Sequence, residues 1–270
     1  MSKILETETF LRKFIQNTPD ALVVLGSGLG GFVQQVEILE SIPYKKIPNF
    51  PQVTVEGHGG NLIVAKIQNK HLIILQGRFH YYEGYDLSTA VYPLKVLHQF
   101  GIKNLLISNA AGGINPAYKP GDIMIIKDHI HFFPDNPLRG KNDDTLGPRF
   151  PDMSLPYSRQ LIDKAIQIAH ETSIVPLHQG VYFSWQGPTY ETVAEYKMIK
   201  FFEADAVGMS STYEVIMGNY LGWNCFGVSV ITNVLSENPQ NKTTHDEVKD
   251  VSSIVQPKLG KLFKNLVLTM

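Results

Sequence analysis

Short β-branched runs alternate with segments of helical period, and that alternation leaves few folds open to the chain. Residues 21–26 ("ALVVLG"), 62–67 ("LIVAKI") and 71–77 ("HLIILQG") read as strands, the last two forming a hairpin through Gln68-Asn69-Lys70. Further strands are expected at 104–109, 122–127, 180–185, 204–209 and 226–232, and helices at 88–100, 157–171, 190–202 and 211–221. Gly101 stands where a helix ending at residue 100 needs a left-handed C′ residue. From Asp246 onward Val248, Val251, Val255, Leu259, Leu262 and Leu266 recur at helical spacing, which predicts a terminal amphipathic helix. Such alternation gives an α/β fold, a central sheet covered by helices. The 270 residues are 43% hydrophobic and contain no Gly/Ser-rich or Pro-rich linker, so one domain spanning 1–270 is expected. The stretch from Asp128 to Pro156 reads as a long irregular loop, a kind that is commonly functional or mobile.

Composition excludes several classes of function. The formal net charge is -1 and no basic stripe invites nucleic acid. The first ten residues, "MSKILETETF", lack the apolar core of a secretory signal. No apolar run reaches the ~18 residues that span a bilayer. A single cysteine, Cys225, cannot form an internal disulfide. A cytoplasmic protein with no membrane partner is expected. His129 and His131 have no further ligands at metal spacing, and H-E-x-x-H, C-x-x-C and G-x-S-x-G are all absent from the sequence. No metal or cofactor is therefore expected.

Five predicted strands end in small, polar, anion-friendly residues: Ser27 with its glycines, "GRFHYYEGY" (77–85), "NAAGG" (109–113), "GMSS" (208–211) and "ITN" (231–233). In open α/β sheets ligands sit outside the carboxyl ends of strands. The first of these, Gly26-Ser27-Gly28-Leu29-Gly30-Gly31, fits G-x-G-x-x-G. A dinucleotide would want an acid about 20 residues on, but Ile47-Pro48-Asn49-Phe50 offers none. No G-x-x-x-x-G-K loop for a triphosphate is present either. The Arg78 guanidinium, His80, the hydroxyls of Ser27 and Ser210 and the backbone amide of Ala110 suit one free phosphate. Glu191 and Asn233 could read donors and acceptors around a purine edge, with Tyr190 and Phe150 as aromatic faces and Met209 against a sugar. Each residue also has an ordinary reading. Arg78 could be a surface ion pair, His80 a half-buried histidine, Glu191 a first-turn helix acid and Asn233 a turn residue.

Taken together, "GSGLGG", "GHGG", "QGRFHYYEGY", "SNAAGGINP", "GDIMIIKDHI", "NPLRGKND", "GPTYETVAE", "AVGMSSTYEV" and "ITN" resemble, in order and spacing, the trimeric purine nucleoside phosphorylases, from about Ala21 to Val248. The resemblance implies a single α/β domain whose central mixed, twisted sheet forms a distorted barrel flanked by helices. It also implies a homotrimer that reversibly splits inosine- or guanosine-like nucleosides with phosphate, giving free base and ribose 1-phosphate in purine salvage. Phosphate is a co-substrate there, and neither cofactor nor metal is implied. By resemblance, phosphate meets Ser27, His58, Arg78, His80, Ala110 and Ser210. Ribose meets Tyr82, Met209 and His245, and the base meets Glu191 and Asn233, lined by Tyr190, Val207 and Thr232. Phe150 would reach into a neighbouring subunit's site, and Asn233, Glu191 and His80 would carry the catalysis. Residues 234–244 match no family motif, and Tyr190 stands where many members carry Phe. Two rivals share the fold: methylthioadenosine phosphorylase, whose relatives place Asp where Asn233 stands, and a non-catalytic purine-binding protein.

Overall fold

The computed structural model describes residues 2–27, 30–54, 59–237 and 244–270. Its strands are β1 (Ala21–Leu25), β2 (Glu37–Pro43), β3 (Asn61–Ile67), β4 (Lys70–Gln76), β5 (Asn104–Gly113), β6 (Ile123–Phe132), β7 (Leu177–Trp185), β8 (Ala206–Gly208) and β9 (Asn224–Val234). They form one sheet in the order β2-β3-β4-β1-β5-β8-β7-β6-β9, and β9 also pairs with β5. That extra pairing closes β5, β8, β7, β6 and β9 into a barrel, from which β1, β4, β3 and β2 extend as a wing. The sheet is mixed: β4, β1, β5 and β9 run parallel, while β8 runs antiparallel to β5.

The apolar run at 21–25 is a strand because both its faces are covered. Every residue from Ala21 to Leu25 is at most 1% exposed, and strands buried on both faces read as continuous apolar runs. The β3–β4 hairpin turns on Gln68-Asn69, with Gln68 at φ 53° and Lys70 already inside β4.

Around the sheet lie α1 (Lys3–Leu11), α2 (Leu87–Ala90), α3 (Tyr92–His98), α4 (Arg159–Glu171), α5 (Val193–Phe201), α6 (Thr212–Tyr220) and α7 (His245–Leu268). The helix expected at 88–100 is broken at Val91. Pro93 has no N–H to give to the carbonyl of Thr89, so the first helix cannot run through it. Gly101 takes φ 80°, as its expected C′ role requires. Strand β6 runs on to Phe132, which shortens the irregular segment expected from Asp128. Two elements lay outside the sequence reading. Helix α1 buries only Thr7 and Leu11. Edge strand β2 buries only Ile42. Neither therefore carries an apolar period to detect. Among the described residues no helix is long and apolar enough to cross a membrane.

The core lies mainly between the sheet and its helices. A second, smaller cluster of Ile114, Phe183, Tyr196, Ile199, Ala204 and Val207 underlies β7, β8 and α5, with Trp185 and Leu235 packed against it.

Candidate active site

Strand β5 forks its neighbours. On one side Leu105, Leu106 and Ile107 pair with β1, whereas Gly112 and Gly113 pair with β8. Between these two contacts the strand edge is left open, and a cavity occupies the fork. The five polar stretches therefore do meet. "NAAGG" is the C-terminal half of β5, which ends at Gly113, and "ITN" lies in β9 one residue before its end. Strand β8 arrives from the opposite direction, and it is short enough to deliver Gly208 through Ser210 to the same place. Glycine serves close packing there: a Cβ on Gly112 would lie 2.5 Å from the Leu235 side chain.

The cavity lining includes Ser27, Arg78, His80, Ala110 and Ser210. The carbonyl of Ser108 accepts from Arg78 Nη1 at 2.8 Å, and the amide of Ile114 donates to Asp205 on the β8 side. Backbone groups alternate sides along a strand, so the Ala110 amide also faces the fork. Gly26 explains the start of the glycine run, since a Cβ there would meet Ser108 O at 2.7 Å and Arg78 Nη1 at 3.1 Å.

Arg78 is an ion pair, but a buried one. Its Nη2 and Nε reach the two carboxylate oxygens of Glu214 at 2.9 and 3.2 Å, and the two side chains are 1% and 4% exposed. Burial disfavours the charged guanidinium, but the charge and hydrogen bonds of Glu214, with Tyr213 and Tyr182, together outweigh it and raise the Arg78 pKa above its usual value. Nη1 also reaches Ser210 Oγ at 3.2 Å. Ser210 is fixed in turn by Ser184, whose hydroxyl donates to the Ser210 carbonyl at 2.7 Å. Ser211 next to it holds φ 73° and accepts from Asn109 Nδ2 at 2.8 Å.

His80 is bound to a carboxylate. Glu83 Oε1 accepts from the His80 amide and lies 2.9 Å from Nδ1, while Oε2 takes the amide and hydroxyl of Thr54. Burial would raise the Glu83 carboxyl, but these hydrogen bonds prevail and hold it at about 2. Burial lowers the His80 pKa, against the pull of Glu83. His80 is thus neutral near pH 7, its Nδ1–H turned to Glu83, and its Nε2 is an acceptor. The ring stacks on Tyr82 at 4.6 Å.

The same lining includes Tyr82, Tyr190, Glu191, Val207, Met209, Thr232, Asn233, His245 and Val248. The Thr232 hydroxyl lies 3.1 Å from Asn233 Oδ1 and 3.3 Å from the Ala111 carbonyl. With Oδ1 accepting from Thr232, the amide nitrogen of Asn233 is the group presented away from it, on the Gly112 side. Glu191 is not a first-turn helix residue. Helix α5 begins at Val193, and Glu195 closes its capping box with Thr192. Glu191 Oε1 accepts from Trp185 Nε1 at 3.3 Å. Burial raises the Glu191 pKa, with hydrogen bonds opposing.

Most of the residues singled out from sequence thus line one cavity. Phe150 does not: its ring is 87% exposed in the loop after β6, beside a separate cleft lined by His129, His131 and Ile216. His58 lies outside the described residues, as do Gly28 and Leu29 of the glycine run. His129 and His131 lie in β6 and bond to Tyr157 and Thr212. Among the described residues no three His, Cys, Asp or Glu side chains gather as a metal would need. Sequence reasoning missed Glu83, Asn109, Trp185 and Glu214. Glu83 had a signal, standing three residues after His80 at capping-box spacing. Glu214 had a fainter one, an acid within a largely apolar helix.

The profile of the family described as "Phosphorylase superfamily" matches residues 20–268. The chain is 41% identical to purine nucleoside phosphorylase 1 of Geobacillus stearothermophilus over 97% of its own length and 95% of that protein's. It superposes on Schistosoma mansoni purine nucleoside phosphorylase solved with inosine at TM-score 0.94, with 36% identity over 99% of this chain and 96% of that one. The Schistosoma protein solved with adenosine gives 0.93 and 38%, over 98% and 95% of the two chains. A barrel with a forked strand, a cavity in the fork and agreement of this extent lead to one conclusion: the chain belongs to the purine nucleoside phosphorylase family.

Proposed function

We propose that the protein catalyses reversible phosphorolysis of 6-oxopurine nucleosides such as inosine and guanosine, giving free base and ribose 1-phosphate. The observation that carries this reading is one cavity in the β5 fork whose lining holds Ser27, Arg78, His80, Ala110 and Ser210 together with Glu191 and Asn233; we assign the first five to a phosphate end and the last two to a base end. Phosphate at the first end stands where its oxygen can attack the anomeric carbon of a ribose lying against Tyr82, Met209 and His245. The C1′–O bond forms as the C1′–N9 bond breaks, through an oxocarbenium-like state, and the electron pair passes to the purine. Glycosidases use two carboxylates for such a step, whereas here the phosphate itself is the nucleophile. The purine gains charge near N7 and O6. The Asn233 amide donates more strongly to that charge than to the neutral ground state, so it aids the chemical step as well as binding. Glu191 accepts from N1–H.

Neither metal nor organic cofactor enters this reading, and phosphate is a co-substrate. Loss of inosine absorbance should require phosphate, survive chelators and yield ribose 1-phosphate. Equal turnover in phosphate-free buffer would overturn the assignment. The adenosine complex of the Schistosoma relative indicates that such a pocket can admit a 6-aminopurine, so discrimination here is expected in turnover rather than in entry.

The exposed Phe150 ring supports a homotrimer in which each subunit's Phe150 covers the neighbouring nucleoside. Phe150→Ala should raise the inosine KM several-fold with little change in kcat, because apolar cover is lost while charge stabilisation stays. A fully active monomer in sedimentation would refute the trimer. A cytoplasmic role in purine salvage fits the single buried cysteine.

A further inference from the structure

We infer that Trp185 sets the base preference of this cavity by keeping Glu191 in its accepting, ionised form. The inference rests on the reading of Glu191 as the partner of purine N1. Trp185 is the last residue of β7 and lies outside the cavity lining. Its ring meets Phe183 edge-on at 6.0 Å and packs against the small cluster beneath β7, β8 and α5. That packing fixes the indole, and its Nε1–H lies 3.3 Å from Glu191 Oε1.

An indole N–H can only donate. A donor held against one carboxylate oxygen favours the charged carboxylate over the neutral acid. The backbone amide of Glu191 itself also bonds the carboxylate and acts in the same direction, and Trp185 is the side chain that adds to it. Tyr190 precedes it, the Glu195 carboxylate of α5 faces it, and His245 and Glu247 stand at the start of α7. Burial and Glu195 both push Glu191 toward its neutral form, so the Trp185 bond is a main opposing contact.

The protonation state decides which purine fits. Ionised Glu191 accepts from the N1–H of inosine or guanosine, but it faces the N1 lone pair of adenosine with another lone pair. Neutral Glu191 reverses this, since its O–H donates to adenosine N1 while its acceptor strength toward N1–H falls. Trp185 is thus a positioning residue whose effect reaches substrate through Glu191.

The experiment measures kcat/KM for inosine and adenosine against pH, in wild type, Trp185→Phe, and a variant carrying 3-benzothienylalanine at 185. That last side chain keeps the two-ring outline without the N–H, so it tests the bond if phenylalanine packs poorly. Losing the bond should cost inosine about tenfold in kcat/KM, narrow the inosine-to-adenosine ratio by at least that factor, and move the acid limb of the inosine profile to higher pH. The KM for phosphate should stay put. Wild-type ratios and an unmoved acid limb in both variants would overturn the inference, and so would a parallel rise in phosphate KM, which marks general distortion. Glu191→Gln separates the two layers. If it leaves the ratio unchanged, the base-binding role of Glu191 itself fails. If it collapses the ratio while the Trp185 variants do not, only the inference about Trp185 fails.

Discussion

Glu214→Ala should destabilise the protein by about 3–5 kcal/mol, the cost of removing one partner from a buried ion pair. The effect is large because Arg78 has nowhere to go. Its guanidinium is locked between Glu214, the Ser108 carbonyl and Ser210, and its side chain is 1% exposed. Without the carboxylate the charge stays buried and uncompensated. For a chain of this size the melting temperature should fall by about 10 °C, read by calorimetry at fixed protein concentration. Phosphate KM should rise as well, since Arg78 then loses the two bonds that fix the plane of its guanidinium beside the cavity. A loss below about 1 kcal/mol, the scale of exposed pairs, would mean that Glu214 does not hold Arg78 as described. Glu214→Gln, which keeps the shape and one acceptor, should fall between the two.

Asn233→Asp should lower inosine kcat/KM by roughly 10²–10³-fold, the scale of losing one donor to developing negative charge. The local geometry gives the reason. Thr232 engages Oδ1 of Asn233, a residue of the cavity lining, so the donor with which it would meet a leaving purine is its NH2. A carboxylate there meets the leaving purine with repulsion where there had been a hydrogen bond. Wild type should prefer inosine over adenosine by at least ~10²-fold in kcat/KM, because adenosine leaves buried polar groups unpaired at both Asn233 and Glu191. The aspartate should narrow that gap, since it can accept from a 6-amino group. Two kcat/KM values, for inosine and adenosine, in wild type and mutant decide the matter. Equal use of the two nucleosides by wild type would favour the methylthioadenosine-type reading. Unchanged values in the mutant would reduce Asn233 to a structural residue.

The parts of this molecule that were legible in its sequence are those set by local rules. The buried run of β1, the β3–β4 hairpin, the C′ glycine at 101 and the period of α7 all follow from residues near one another in the chain. Ser27, Arg78, His80, Glu191 and Asn233 could be singled out from their motifs, and all five line one cavity. What could not be read is what holds them. Glu214 meets Arg78 across 136 residues, Asn109 meets Ser211 across 102, and Trp185 acts by closing a bond in a loop that carries no period. The lengths of β5 and β9 were underestimated because Ala-Gly-Gly and Thr-Asn look like turns. Only the neighbouring strands, with side chains crowding against Gly112, make the extended backbone the stable choice.

The fork-bound pairing of Arg78 with Glu214 bears on how the anion end of the cavity behaves as an electric field. The guanidinium charge is cancelled at 2.9 Å, His80 is neutral, and Glu83 keeps its own negative charge close behind the ring. Seen from the solvent this end is not a positive well. On the proposed function, phosphate would be held there by short-range, directed N–H and O–H dipoles, which salt screens little compared with a bare cation. Such a cradle would not draw anions from afar. For a reversible enzyme that must release one phosphate ester as readily as it admits another anion, a weakly charged cradle keeps both directions of the reaction open.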